Sequence, residues 1–204
     1  LFRELLKDPS KLELGGEVRQ VTYLFTDIAN FTHLTEVTDP KVLTGLLNEY
    51  LTNVTEIILS HDGTIDKIIG DAVVTMFGAP LAQDDDPARA VKCAMAIDAY
   101  AEAFRVRVNQ RGIPFGVTRI GVNTGDAVIG NFGGEAYFNY TGLGDTVNTA
   151  ARLESVNKHI GTRICVGETT VARSAGLDFR PVARLVLKGK TEATKAYGPI
   201  QNRA

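Results

Sequence analysis

Apolar residues recur along this chain with two different periods, and the switches between them divide it into elements. After Pro40, Val42, Leu43, Leu46, Leu47, Tyr50, Leu51, Val54, Ile57 and Ile58 fall at the three- and four-residue spacing of a helix. Asp39-Pro40 opens that helix, with the aspartate as N-cap and the proline at the first helical position, where its missing N–H costs nothing. His61-Asp62-Gly63 ends it. Asp86-Pro87 opens a second helix by the same device, running to about Arg111 before Gly112 breaks it, and a third runs from Asp145 to about Asn157. Strand-like runs cover Arg19 to Phe25, both arms of a hairpin around Gly70-Asp71, and Tyr137 to Leu143. Val117 to Val122 and Ala127 to Gly130 read as a hairpin turning at Asn123-Thr124-Gly125-Asp126. Short strand, helix and strand units follow, with a last hairpin at Gly189-Lys190.

This order predicts an α+β fold with a largely antiparallel sheet and the helices on one of its faces. Residues 1–17 read as a linker from an upstream regulatory module, because Asp8-Pro9-Ser10 and Gly15-Gly16 interrupt a short helical lead-in. Residues 18–204 read as one domain without repeats. The start at Leu1 rather than Met reads as a fragment of a longer protein.

Composition narrows the classes of partner. Over 204 residues, 44% hydrophobic and 23% charged content is ordinary for a soluble globular domain with a sizeable core. A net charge of −2 supplies no basic excess for nucleic acid or an anionic membrane surface. A polyanionic ligand must then be met by a few local cations or by metal. Cys93 and Cys165 form no CxxC unit and read as buried free thiols, which fits a reducing, cytoplasmic setting. No apolar run approaches the roughly 20 residues that cross a bilayer, which leaves open an anchor elsewhere in the parent protein.

Two aspartates stand out against this background. Asp27 ends the run Val21 to Asp27, and Asp71 sits in the Gly70-Asp71 turn. Two carboxylates on neighbouring strand tips repel unless a divalent cation lies between them. Oxygen-only ligands suit Mg²⁺ or Mn²⁺, and Mg²⁺ shares its shell with substrate phosphates. The pair therefore points to nucleotide phosphate chemistry, although a plain hairpin turn and a helix cap use the same residue types. Other phosphate motifs fail. Gly189-Lys190-Thr191 lacks the leading glycine, since that position is Arg184, and Gly142-Leu143-Gly144 has Val147 where a dinucleotide fingerprint needs its third glycine. His33, His61 and His159 lack metal-ligand spacing.

Five segments in order then resemble one family: Phe25 to Thr32 (FTDIANFT), Asp66 to Ala72 (DKIIGDA), Arg119 to Gly125 (RIGVNTG), Asn139 to Glu154 (NYTGLGDTVNTAARLE) and Leu187 to Lys190 (LKGK). Together they resemble the class III adenylate and guanylate cyclase catalytic domain, of the bacterial type, over about residues 18 to 200. The resemblance implies a ferredoxin-like βαββαβ core with a mainly antiparallel sheet and additional C-terminal strands and helix. It implies that the ribose 3′-oxygen of a nucleoside triphosphate attacks its own α-phosphorus, releasing pyrophosphate, with two divalent cations, Mg²⁺ or Mn²⁺. By the same resemblance Asp27, Asp71 and the Ile28 carbonyl hold metal. Asn148 orients the ribose, Arg152 stabilises the transition state, Lys188 and Arg119 contact phosphate, and Phe31 joins the substrate site. Lys67 and Thr141 stand where the family reads the base. A Lys with Asp or Thr goes with adenine there, and a Glu with a small residue such as Cys goes with guanine.

The implied partners are ATP, a second copy of the chain in a homodimer that shares its sites, and an upstream sensor. Neither nucleic acid nor direct membrane insertion of this domain is expected. A guanylate or dual-specificity cyclase and an inactive nucleotide-binding regulatory domain are the alternatives. Two departures stand out. Thr141 is neutral where many relatives have Asp, and Ala136-Tyr137-Phe138-Asn139 lacks the basic residue many relatives carry there, after a Gly-rich segment, Asn131 to Glu135, that reads as a loop.

Overall fold

The computed structural model describes residues 14–134, 137–186 and 193–200. Residues 1–13 of the expected linker, Lys188 and the expected Gly189-Lys190 turn lie outside them. Along the chain come β1 (Gly15–Ile28), α1 (Phe31–Val37), α2 (Pro40–Ser60), β2 (Thr64–Ile69), β3 (Ala72–Phe77), α3 (Asp86–Asn109), β4 (Thr118–Gly134) and β5 (Tyr137–Leu143). Then follow α4 (Asp145–Ile160), β6 (Ile164–Gly167), α5 (Glu168–Ala172), β7 (Phe179–Leu185) and β8 (Thr194–Pro199). The strands form one sheet in the order β2-β3-β1-β4-β6-β8-β7, with β5 added to β4. All pairings are antiparallel except β4 with β6. The inner order β2-β3-β1-β4, crossed by α2 and α3, is the ferredoxin-like core, and the remaining strands extend it. Among the described residues no helix is long and apolar enough to cross a membrane.

Local chemistry explains the helix starts. Asp39 Oδ1 accepts from the Lys41 and Val42 amides at 2.9 and 3.2 Å, the N-cap expected for α2. The start of α3 differs from expectation. Asp86 is already helical, and its carboxylate turns back to accept from the Gln83 amide at 2.9 Å and to pair with Arg89.

The helices cover both faces of the sheet rather than one. On one face Leu24, Ile28, Val73, Phe77, Ile120 and Val122 pack against Tyr50, Val54 and Ile58 of α2 and Val91, Ile97 and Phe104 of α3. On the other, Val21, Tyr23, Val74, Met76, Ala127 and Ile129 pack against Val147 and Ala150 of α4. Successive side chains of a strand point to opposite faces. Val21, Tyr23 and Phe25 on one face and Leu24 on the other therefore demand cover on both sides of β1.

β4 corrects two expectations. No hairpin turns at Asn123 to Asp126. The strand runs straight through, paired with β1 from Thr118↔Ile28 to Asn131↔Gly15. Gly125 is a close-approach glycine and not a turn glycine: a Cβ there would lie 2.6 Å from Thr146 Oγ1, and one at Gly121 would lie 2.2 Å from the Ala150 carbonyl. Both make room for α4 against the sheet. Nor is Asn131 to Gly134 a loop, because it is paired with β5 from Asn131↔Tyr140 to Gly134↔Tyr137. At the other end β1 starts at Gly15, so the final three residues of the expected linker belong to the sheet. Cys93 and Cys165 are free and buried as expected, and burial pushes both thiols up to about 12.

Candidate active site

The register of β1 with β4 sets Asp27 directly opposite Arg119, and their side chains form an ion pair. The β2–β3 turn, with Gly70 at φ +63°, carries Asp71 to the same end of β1, where its Oδ2 accepts from the Ile28 amide at 2.9 Å. Asp71 is thus 8% exposed and hydrogen-bonded, more enclosed than a strand-tip aspartate suggests. Burial, opposed by the bond from Ile28 and reinforced by the charge of Asp27, holds its carboxyl above the usual range.

Glu154 of α4 completes the cluster. Its Oε1 lies 2.9 Å from Arg119 Nε, close enough for an ion pair but without the alignment of a hydrogen bond. Burial raises the Glu154 carboxyl, Arg119 lowers it and Asp27 raises it. Two carboxylates therefore share one guanidinium, and Asp71 feels its charge at longer range. Arg119, expected to meet phosphate, is here the local counter-charge.

The donor set fits a hard divalent cation. Two carboxylates, with the charge of Asp27 raising the proton affinity of Asp71, beside a main-chain carbonyl at Ile28, present oxygen alone. No group of three or more His, Cys, Asp or Glu side chains placed to hold a metal occurs among the described residues. Asp27 and Asp71 would therefore need further ligands from substrate or water, as Mg²⁺ sites commonly do.

A second cluster joins Lys67 to Thr141. Lys67 Nζ donates to Thr141 Oγ1 at 3.1 Å, and Thr141 donates to Asp66 Oδ2 at 2.7 Å. Tyr23, fully buried, donates its hydroxyl to the same Asp66 oxygen at 3.2 Å. The two residues expected to read a base meet within one chain, although 74 positions separate them.

A third group sits on α4. Asn148 is exposed and Arg152 half-buried, its guanidinium 3.8 Å from Asp145. A helix turns about 100° per residue, so Asn148 and Arg152 point roughly 200–240° away from Glu154 around the axis. Glu154 faces the aspartates, and the other two face elsewhere. Phe31 packs against the core of the α2/α3 face. The position of Lys188 is not described. Asp66, Tyr23 and Glu154 escaped the sequence reading. Glu154 ends the segment Asn139 to Glu154 and Asp66 begins the segment Asp66 to Ala72, but strand alternation assigns Asp66 the face opposite Lys67.

The model of the adenylate and guanylate cyclase catalytic domain matches residues 16–197 of the chain. Adenylate cyclase 1 of Rhizobium meliloti is 38% identical over 180 residues, which are 88% of this chain and 27% of that protein. The adenylate cyclase of Anabaena cylindrica is 30% identical over 195 residues, 91% of this chain and 38% of that protein. Among solved structures, the adenylyl cyclase CyaB from P. aeruginosa superposes with a TM-score of 0.85 at 32% identity, covering 93% of this chain and 98% of that one. The guanylyl cyclase Cya2 gives 0.79 at 31% identity, with 91% and 94% covered. The chain belongs to the adenylate and guanylate cyclase catalytic domain family. It spans less than two-fifths of the length of either named relative.

Proposed function

We propose that this domain is an adenylate cyclase, converting ATP to 3′,5′-cyclic AMP and pyrophosphate. The observation that carries this reading is the contact between Lys67 and Thr141, a cationic donor bonded to a hydroxyl acceptor at 3.1 Å. Adenine presents an acceptor at N1 and a donor at N6, and guanine presents the reverse at N1 and O6. Lys67 donates to N1 and Thr141 accepts from N6.

The ribose 3′-oxygen forms the new bond to the α-phosphorus as the bond to the bridging oxygen of pyrophosphate breaks, and the 3′-proton leaves to solvent. Divalent cations held by Asp27, Asp71 and the Ile28 carbonyl would supply acidity at the 3′-hydroxyl and charge neutralisation at the phosphates. Asn148 orients the ribose, and Arg152 meets charge growing on the α-phosphate oxygens. Lys188 and Arg119 serve the leaving phosphates, for which Arg119 exchanges its carboxylate partners for phosphate. Phe31, packed on the core of the α2/α3 face, joins the substrate site.

Because Asn148 and Arg152 face away from their own chain's aspartates, they serve the aspartates of a second copy. The working unit is a twofold homodimer with two equivalent sites. The part of the expected linker ahead of β1, residues 1–14, leads from an upstream sensor, and the domain acts in the cytoplasm.

The test is to incubate the purified domain with ATP or GTP and Mn²⁺ and to identify products by mass spectrometry. Cyclic AMP in excess of cyclic GMP is expected. Absence of any cyclic product, or cyclic GMP alone, refutes the reading.

A further inference from the structure

The hydroxyl of a threonine can donate or accept, so by itself Thr141 tells adenine poorly from guanine. Its surroundings remove that ambiguity. Asp66 lies directly beneath it, with a side chain only 1% exposed. An ionised carboxylate only accepts. The single Thr141 proton is therefore committed to Asp66 Oδ2 at 2.7 Å. Thr141 Oγ1 accepts from Lys67 Nζ at 3.1 Å, and with its own proton spent on Asp66 it meets any further ligand as an acceptor only. Tyr23 donates to the same Asp66 oxygen at 3.2 Å, and burial holds its phenol far above its ordinary range, so it remains a donor. The second oxygen, Asp66 Oδ1, accepts no hydrogen bond and lies 3.3 Å from Lys67 Nζ.

The backbone is shaped for this arrangement. β2 pairs with β3 as Ile65↔Thr75 and then Lys67↔Val74, so Asp66 is the extra residue of a β-bulge. In a regular strand Lys67 would share the face of Ile65, which packs on the α2/α3 side. The bulge moves it to the face of Val74 and Tyr23, beside Asp66. Two consecutive side chains thereby reach Thr141 together.

We infer that Asp66 is a specificity-determining positioning residue: by taking the Thr141 proton it turns a neutral hydroxyl into an acceptor-only group, and so gives this site the adenine selectivity of a carboxylate. This rests on the reading of Lys67 and Thr141 as the base-reading pair. Guanine would set its O6 against a lone pair and its N1–H against the Lys67 ammonium. Releasing the Thr141 proton toward O6 breaks a hydrogen bond to a charged acceptor, a contribution corresponding to about ten- to a hundredfold in relative affinity.

The test compares kcat/KM for ATP and GTP in the full chain and in three variants, with thermal unfolding as a check on folding. Asp66→Asn keeps size and shape, but its amide can donate to Thr141 and free the Thr141 proton. The ATP:GTP ratio should fall at least about tenfold in that variant. Asp66→Asn with Thr141→Asp, which restores an acceptor-only group at position 141 independently of residue 66, should recover the ratio. A folded Asp66→Asn variant that keeps the parent ratio, while Thr141→Val shifts it, overturns the role of Asp66 and leaves the base-reading pair standing. If Thr141→Val also leaves the ratio unchanged, position 141 does not read the base, and both readings fall. Failure of the double variant to recover the ratio assigns the loss to general disturbance of the pocket and refutes the proposal.

Discussion

Arg119 offers the sharpest test of the electrostatics. Its guanidinium pairs with Asp27 and lies 2.9 Å from Glu154, whose side chain is 11% exposed; Arg119 itself is 16% exposed. Arg119→Met keeps most of the packing and removes the only charge that offsets this group among the contacts described. Removing one partner of a buried pair commonly costs about 3–5 kcal/mol, because the other charge is left without compensation. Here the loss has a ceiling, since Glu154 can take a proton. Neutralising an ordinary glutamate at pH 7 costs about 3.7 kcal/mol, at 1.36 kcal/mol per pH unit above a pKa near 4.3. Burial already holds Glu154 above that range, which lowers the ceiling. A loss of about 2–3 kcal/mol at neutral pH follows.

The sign of its pH dependence is fixed by the same shift. A carboxyl raised in the folded state binds its proton more tightly folded than unfolded, so stability falls as pH rises between the unfolded and folded pKa values. Removing Arg119 raises the folded value further. The penalty should therefore be largest near neutral pH and shrink toward about pH 5. Glu154→Gln in the same background should recover at least about 1 kcal/mol. Urea unfolding in chelator, at both pH values, measures all four members of the cycle. A loss within about 0.5 kcal/mol, as for an ordinary surface substitution, or an equal loss at both pH values, would refute the account.

Asp71→Asn should lower turnover at least about 10²-fold with little change in stability, because the amide oxygen can still accept from Ile28. Asp71→Ala should cost a further 1–3 kcal/mol, roughly, by orphaning that buried N–H. Near-normal turnover of a folded Asp71→Asn variant would sink the metal assignment. Mixing Asp71→Asn with Arg152→Ala, each inactive alone, should restore about a quarter of the parent rate. Half of the dimers are then mixed, and each has one intact site of two. No recovery despite demonstrated subunit exchange would place the whole site in one chain. Lys67→Glu with Thr141→Cys should move the ATP:GTP ratio of kcat/KM toward GTP by reversing the donors and acceptors at the base edge, and an unchanged ratio would show that the pair does not read it.

Much of the framework can be read from the chain alone. The spacing of the apolar residues placed α2, Asp86-Pro87 and Gly112 bounded α3, the ranges read for α4 and β5 hold to within a few residues, and Asp39-Pro40 marked a true cap. The five family segments marked the residues that the fold then gathers at Asp27 and Asp71 and at Lys67 and Thr141. These features are legible because they depend on local spacing and on which side-chain types sit where.

What the sequence could not decide are the matters set by approach between distant segments. Asn123 to Asp126 carries turn-forming residues, yet β1 pairs across it and α4 presses on Gly121 and Gly125, so the strand continues. Strand alternation puts Asp66 and Lys67 on opposite faces, and only the bulge against β3 brings them together under Thr141. Glu154 reads as one more polar residue of an exposed helix until the packing of α4 on β4 sets it against Arg119. In each case local preference is worth about 1 kcal/mol or less, and the burial and pairing of whole elements outweighs it.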